Sequence, residues 1–155
     1  MRRSGVRCSA SSVIGGKAMD CIFCRISSGE VPSEIVYQDK EAFAIRDIHP
    51  QAPKHLLIIP RQHIPTLADV PEGHEALPEE KIPIERELEK ALGEVHERGE
   101  ALLGHLVAIA NLLAKKEGVA GSGYRVVINC GRDSGQEVPH LHLHLLGGRR
   151  LGRLG

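Results

Sequence analysis

The chain has 155 residues, with 20 Lys plus Arg against 20 Asp plus Glu, so it is electroneutral and long enough for one domain that buries a core without disulfide staples. It has no tryptophan and only 3% aromatic residues, which together with the balanced charge excludes the basic footprint and stacking platform of a nucleic-acid binder. Apolar runs such as Leu56-Leu57-Ile58-Ile59 fall far short of the ~20 residues needed to cross a bilayer, so a soluble protein that binds a small molecule is expected.

Residues 1–18 are rich in Arg, Ser and Gly and contain no acidic residue. That is the composition of an organellar presequence without the apolar core of a secretory signal, and equally of a disordered tail; the reading adopted is a disordered extension before a domain at 19–155. The cysteines Cys8, Cys21, Cys24 and Cys130, with one C-x-x-C pair, point to a reducing compartment in which thiols bind metal or stay free. A cytoplasmic location is expected, or an organellar one if residues 1–18 act as a presequence.

From Ile35 to Asp47 two β-prone runs flank Gln38-Asp39-Lys40-Glu41, which predicts a hairpin. Pro50 and Pro53 mark a loop, and His55 to Ile59 reads as a third strand, buried on both faces and stopped by Pro60. Between Pro83 and Gly118, apolar residues recur at spacings of three, four and seven: Ile84, Leu88, Leu92, Val95, Leu102, Leu106, Ile109 and Leu113. Pro83 opens this helical stretch and Lys115, Lys116 and Gly118 close it. Gly99 and Gly104 each cost up to ~1 kcal/mol inside a helix, so one long helix and two helices broken near Arg98-Gly99 are both open. Tyr124 to Cys130 and His140 to Leu146 complete the strands. The order β, β, β, α, β, β describes an α+β domain with an antiparallel five-stranded sheet.

The last strand carries the chemistry. In Pro139-His140-Leu141-His142-Leu143-His144-Leu145-Leu146-Gly147-Gly148 the histidines fall on one face of an extended chain and the leucines on the other. A solvent-facing strand would explain one or two histidines. Three at i, i+2 and i+4, after a Gly-rich loop and before a Gly-Gly stop, point to a site, because neutral imidazoles accept protons, bind metal or attack phosphorus near neutral pH.

The run Gly135-Gln136-Glu137-Val138-Pro139-His140-Leu141-His142-Leu143-His144-Leu145-Leu146-Gly147-Gly148-Arg149 resembles the signature of the histidine triad (HIT) family, in particular its nucleotide-binding, purine nucleoside phosphoramidase branch. Cys21-Ile22-Phe23-Cys24, the stretch from Asp47 to Ile64, and Tyr124 to Asn129 add to the resemblance. It implies a homodimer whose sheets join edge to edge, a purine nucleotide substrate, and no cofactor for catalysis. By resemblance His142 is the nucleophile on phosphorus, giving a nucleotidyl-histidine that water hydrolyses. His144, Gln136 and Asn129 face the phosphate along the Gly135–Glu137 loop, His55 orients the triad, and Asp47 accepts from the ribose hydroxyls. Ile22, Phe23, Ile26, Phe43 and Ile48 would line a purine slot; by composition alone they are ordinary core.

The same resemblance makes Cys21, Cys24, His63 and His140 a zinc tetrahedron, structural because four protein ligands leave no open position; the alternative is two buried cysteines without metal. At position 137 this chain has glutamate where better-known members carry a serine that assists a departing amine, which leaves the leaving group open. Residues 75–99 lack a counterpart in the family pattern and read as a solvated amphipathic helix. His74, His96 and His105 are taken as histidines without a special role. The competing readings are a dinucleoside polyphosphate hydrolase, a nucleotide- or zinc-binding regulatory module with negligible turnover, and a metalloenzyme with its metal on all three triad histidines.

Overall fold

The computed structural model describes residues 20–70 and 83–154, with the backbone alone from 83 to 98. The expected tail at 1–18 and the first part of the expected insertion, 75–82, lie outside these residues.

The hairpin forms as predicted. Strand β1 (Ile35–Gln38) turns into β2 (Ala42–Arg46) with Gln38 paired to Phe43. Asp39 makes the turn by accepting the amides of Glu41 and Ala42 on one carboxylate oxygen, at 2.7 and 2.8 Å. Its other oxygen takes the Tyr37 hydroxyl and the His105 ring, both at 2.7 Å. Burial alone would raise this carboxyl; the bonds from Tyr37, Ala42, Glu41 and His105 hold it well below the usual carboxylate range instead. His105 therefore ties helix to hairpin, a role its sequence position did not suggest.

Strand β3 (Lys54–Pro60) follows, then helix α2 (Pro83–Lys116), β4 (Tyr124–Val127) and β5 (Leu143–Gly147), in an antiparallel sheet of order β1-β2-β3-β5-β4. Strand β3 lies at the centre and is buried from His55 to Pro60, which is why its apolar run does not alternate. One face of the sheet packs Ala44, Leu56, Ile58, Leu143 and Leu145 under Leu106, Ile109 and Leu113 of α2. The other packs Phe43, Ile45, Leu57 and Ile59 against Phe23 and Ile26 of a short helix, α1 (Ile22–Ser27). Six residues are too few for a hydrophobic period to register, so α1 escapes a sequence reading.

Helix α2 is continuous for 34 residues, about 51 Å at the standard rise, and does not break near Gly99. Two predicted strands are shorter than expected: β4 ends at Val127, and β5 begins at Leu143 rather than His140. The chain before Leu143 leaves the ladder, with the Leu141 amide bonded to the Ile64 carbonyl at 2.6 Å. The alternation survives that departure, since Leu141 is buried with Leu143 and Leu145 under α2.

The ends of β2 and β3 are clamped behind the sheet. Glu117, its side chain only 7% exposed, receives Arg46 through two nitrogens at 2.8 and 3.1 Å and Lys54 at 3.0 Å. The Arg46 hydrogen bonds, more than the Lys54 contact, hold the Glu117 carboxyl below its ordinary range. A carboxylate just past a helix C-terminus opposes the dipole, so these two cations are what make the position tenable. The residues that follow the clamped Arg46 and Lys54 in sequence, Asp47 and His55, line the candidate site.

Candidate active site

A cavity of about 610 Å3 opens beside α1, within the range of small-molecule sites. Its apolar lining comes from Ile22, Phe23, Ile26, Ile45 and Leu57, and its polar lining from Asp47, His55, Asn129, Glu137, His142 and His144. Gly135 also lines it, and Ile48, 84% exposed, stands at its rim.

Two expected contacts fall elsewhere. Phe43 is 1% exposed in the core, with the Arg61 guanidinium 5.6 Å over its ring, because β2 is covered on both faces. Gln136 turns inward: its side-chain oxygen accepts the Gly131 amide at 2.8 Å and its nitrogen donates to the carbonyls of Pro65 and Val138 at 2.8 and 3.0 Å. Every polar atom of that amide is thus engaged in shaping the loop, and Gly135 and Glu137 on either side reach the cavity in its place.

The hydrogen bonds fix which ring nitrogen carries each proton. His142 Nδ1 lies 2.7 Å from the His140 carbonyl oxygen. A carbonyl only accepts, so Nδ1 is protonated and Nε2 keeps its lone pair. The Gln51 amide donates to His55 Nδ1 at 3.0 Å, which places the His55 proton on Nε2. That nitrogen lies 2.9 Å from His144 Nδ1 and 3.4 Å from an Asp47 carboxylate oxygen. With Nδ1 accepting, His144 carries its proton on Nε2. The cavity therefore holds one imidazole with a free lone pair, His142, beside one with a free N–H, His144.

Burial, reinforced by the neighbouring His142 and His55, pushes the His144 pKa down to about 4, and burial also lowers that of His55. Both rings are neutral at pH 7. Between pH 6.5 and 4 the unfolded chain binds a proton at His144 that the folded chain refuses, so stability is lost as pH falls through this window. From pH 7.5 to 5 this one group removes about 2 kcal/mol. Urea unfolding at both pH values is expected to show the loss, and a His144→Asn variant to show a smaller dependence by about that amount. Equal dependence in the two proteins would contradict a buried neutral ring.

His140 leaves the row. Its ring is 0% exposed, donates from Nε2 to the Pro60 carbonyl at 2.8 Å, and turns an unprotonated Nδ1 toward Cys21 Sγ at 3.4 Å, Cys24 Sγ at 3.6 Å and His63 Nδ1 at 3.1 Å. Cys24 Sγ lies 3.3 Å from His63 Nδ1. Zinc bonds of ~2.3 Å to sulfur and ~2.05 Å to nitrogen give tetrahedral edges of roughly 3.3 Å between nitrogens and 3.6 Å between sulfur and nitrogen, and the separations here match. Burial, then the neighbouring Cys21, raises the Cys24 thiol to about 11, a shift that a bound cation would reverse because thiols ligate as thiolates. Burial brings His140 down to about 4, leaving it neutral as a ligand must be. The donor set fits a closed, structural Zn2+.

Against this geometry, a HIT domain family profile matches residues 28–151. The chain belongs to the HIT domain family. This HIT protein is 43% identical over 135 residues, 87% of its length and 92% of the relative's, to the purine nucleoside phosphoramidase of Escherichia coli strain K12. A 14 kDa zinc-binding protein of Zea mays is 42% identical over 130 residues, covering 84% of this chain and 83% of the relative. Among solved structures, a histidine triad protein from Clostridium difficile aligns with TM-score 0.68 at 36% identity, over 88% of this chain and 97% of its own. A HIT family hydrolase from Legionella pneumophila aligns with TM-score 0.64 at 41% identity, over 86% and 96%. The antiparallel α+β fold is thus that of the family, and the similarity is to its hydrolases.

Sequence reasoning missed Gln51, whose amide sets the His55 tautomer. The only local signal was its place between Pro50 and Pro53, in a loop leading into His55.

Proposed function

We propose that this HIT protein hydrolyses the P–N bond of purine nucleoside 5′-phosphoramidates through a nucleotidyl intermediate on His142. The observation that carries the reading is the His142 tautomer, a lone pair on Nε2 held ready in a cavity of nucleotide size. In the first step that lone pair forms a bond to phosphorus while the P–N bond breaks and the amine leaves with a proton taken from solvent, which the attacking water gives back in the second step. In the second, water attacks phosphorus, the bond to Nε2 breaks, and the nucleoside monophosphate departs. The N–H of His144 supports charge growing on a phosphate oxygen, which is worth most in a largely desolvated site. Asp47 accepts from the ribose hydroxyls, Asn129 adds a contact near the phosphate, and the base lies against Ile22, Phe23 and Ile26. Glu137, exposed on the cavity wall, favours leaving groups that offer donors or positive charge.

A structural zinc on Cys21, Cys24, His63 and His140 would brace this site, and no catalytic cofactor enters the reaction. The protein is read as a homodimer, joined at β4, which borders the sheet and pairs with β5, and as a cytoplasmic one, in keeping with Cys21, Cys24 and Cys130 forming no disulfide among the described residues. None of the helices in the described residues is long and apolar enough to cross a membrane.

Mass spectrometry of enzyme mixed with adenosine 5′-phosphoromorpholidate and denatured at alkaline pH, where a P–N bond to imidazole survives, is expected to find one added nucleoside monophosphate on the peptide carrying His142, and native mass spectrometry of the unquenched enzyme to find the mass of two chains. An adduct on another residue, or turnover without any adduct, would overturn the mechanism. Faster turnover of a diadenosine polyphosphate would favour the dinucleoside hydrolase instead.

A further inference from the structure

The Gly147-Gly148-Arg149 run after the triad has no part in the chemistry above, yet the fold gives it a definite geometry. A Cβ on Gly147 would stand 3.0 Å from Val119 Cβ. Gly148 has φ +92°, and a Cβ there would stand 3.0 Å from Pro53 Cβ. Only glycine adopts that conformation at that distance without strain. The chain therefore leaves β5 pressed against the loop that joins β2 to β3. The next side chain, Arg149, donates from Nη2 to the Gln51 carbonyl at 2.7 Å and from Nη1 to the Arg150 carbonyl at 3.0 Å.

Gln51 is the residue whose amide donates to His55 Nδ1. The bonds run from Arg149 to Gln51, from Gln51 to His55, and from His55 Nε2 to His144 Nδ1. We propose that Arg149 is a positioning residue: by holding Gln51 in place it selects the His55 tautomer, and through it the tautomer that turns an N–H of His144 toward the substrate. Without the Gln51 donor, His55 can carry its proton on Nδ1. His144 then donates to His55 and is left with a bare lone pair on Nε2, which repels a phosphate oxygen where it should stabilise one. A wrong imidazole tautomer is costly in catalysis even when every atom stays in place. A guanidinium suits the task because it stays charged at all working pH values and makes a strong charge-assisted bond to a carbonyl.

The loop's other ties do not duplicate this one. The His49 amide bonds to Asp47 at 2.8 Å, the Asp47 amide to the His55 carbonyl at 3.0 Å, and the Gln51 side chain to the His49 carbonyl at 3.2 Å. All run within residues 47–55, whereas Arg149 alone of these ties the loop to the end of β5.

The inference rests on the phosphoramidate reading for its kinetic consequence but not for its tautomer consequence, and the test separates the two. In the full chain labelled with 15N-histidine, long-range proton–nitrogen NMR reports which nitrogen of His55 and His144 is protonated. Wild type and Arg149→Lys are expected to show His55 protonated on Nε2, and Arg149→Met a mixture of both forms. With adenosine 5′-phosphoromorpholidate, Arg149→Met is expected to lower kcat about tenfold with KM within about twofold, the scale on which orienting partners of a reactive group act, and Arg149→Lys to recover most of it. Unchanged His55 signals in Arg149→Met would overturn the proposal, as would a rise in KM alone, which would place Arg149 on the substrate. A wild type without turnover would end the functional reading and leave the tautomer measurement to decide this one.

Discussion

Replacing His142 with asparagine is expected to cut phosphoramidate turnover by on the order of 10^4-fold or more while AMP affinity changes by less than about threefold. In the proposed mechanism His142 forms the covalent bond that divides one displacement into two, so its loss would remove a pathway instead of weakening a contact. Affinity is expected to survive because the other groups proposed to hold nucleotide stay in place: Asp47, His144 and the apolar wall of α1 line the cavity independently of the ring. The ring also packs edge-on against Phe23, with centroids 5.2 Å apart, and asparagine leaves part of that contact empty, so a small loss of stability accompanies the variant. Steady-state kinetics together with calorimetric titration of AMP check the split. Turnover equal to wild type would sink the enzymatic reading and favour a nucleotide-binding module. Loss of turnover and affinity together would mean that His142 is chiefly a wall of the cavity.

Removing the metal cluster is the second large effect. Cys24→Ser, or prolonged exposure of the wild type to a strong chelator, is expected to lower Tm by more than about 10 °C, since binding to a preformed closed site is folding free energy. Elemental analysis should find one zinc per wild-type chain. The four candidate ligands join α1, the turn after β3 and the approach to β5. Phe23 lies between the two cysteines of the candidate metal site in sequence and touches the rings of both His140 and His142, at 5.7 and 5.2 Å between centroids. His140 offers its ring to the cluster and its carbonyl to His142. AMP affinity is therefore expected to weaken along with stability, by calorimetry of the chelated protein at a temperature where it remains folded. A wild type without zinc, whose Tm ignores chelator, would show the cysteines to be ordinary core thiols.

Much of the architecture is written in short-range pattern. The alternation from His140 to Leu145 placed the leucines in the core and the histidines opposite them, and this holds even where the ladder stops. The unbroken apolar run of β3 announced burial on both faces, and the spacing from Leu102 to Leu113 announced the side of α2 that meets the sheet. These features are local because burial follows the period of the backbone. The same pattern also fixed no more than a face: it treated the triad histidines as equivalents, and the fold separates them, one ring among thiols and two in the cavity.

What tertiary structure alone decided is which partner each polar atom meets. The Gln136 amide is turned into its own loop because three backbone groups, of that loop and of Pro65, engage it. Phe43 lost its place in the base slot because α1, too short to leave a period, covers that face of β2. His105 gained Asp39, and Arg149 gained Gln51, across separations of 66 and 98 residues. Hydrogen bonds are directional and short, so a residue's type states what it can donate or accept while only the folded chain states to whom. For this protein, periodicity and residue type were enough to reach the core and the reactive row, and resemblance of the motifs to reach the family; the proton on each imidazole waited for the fold.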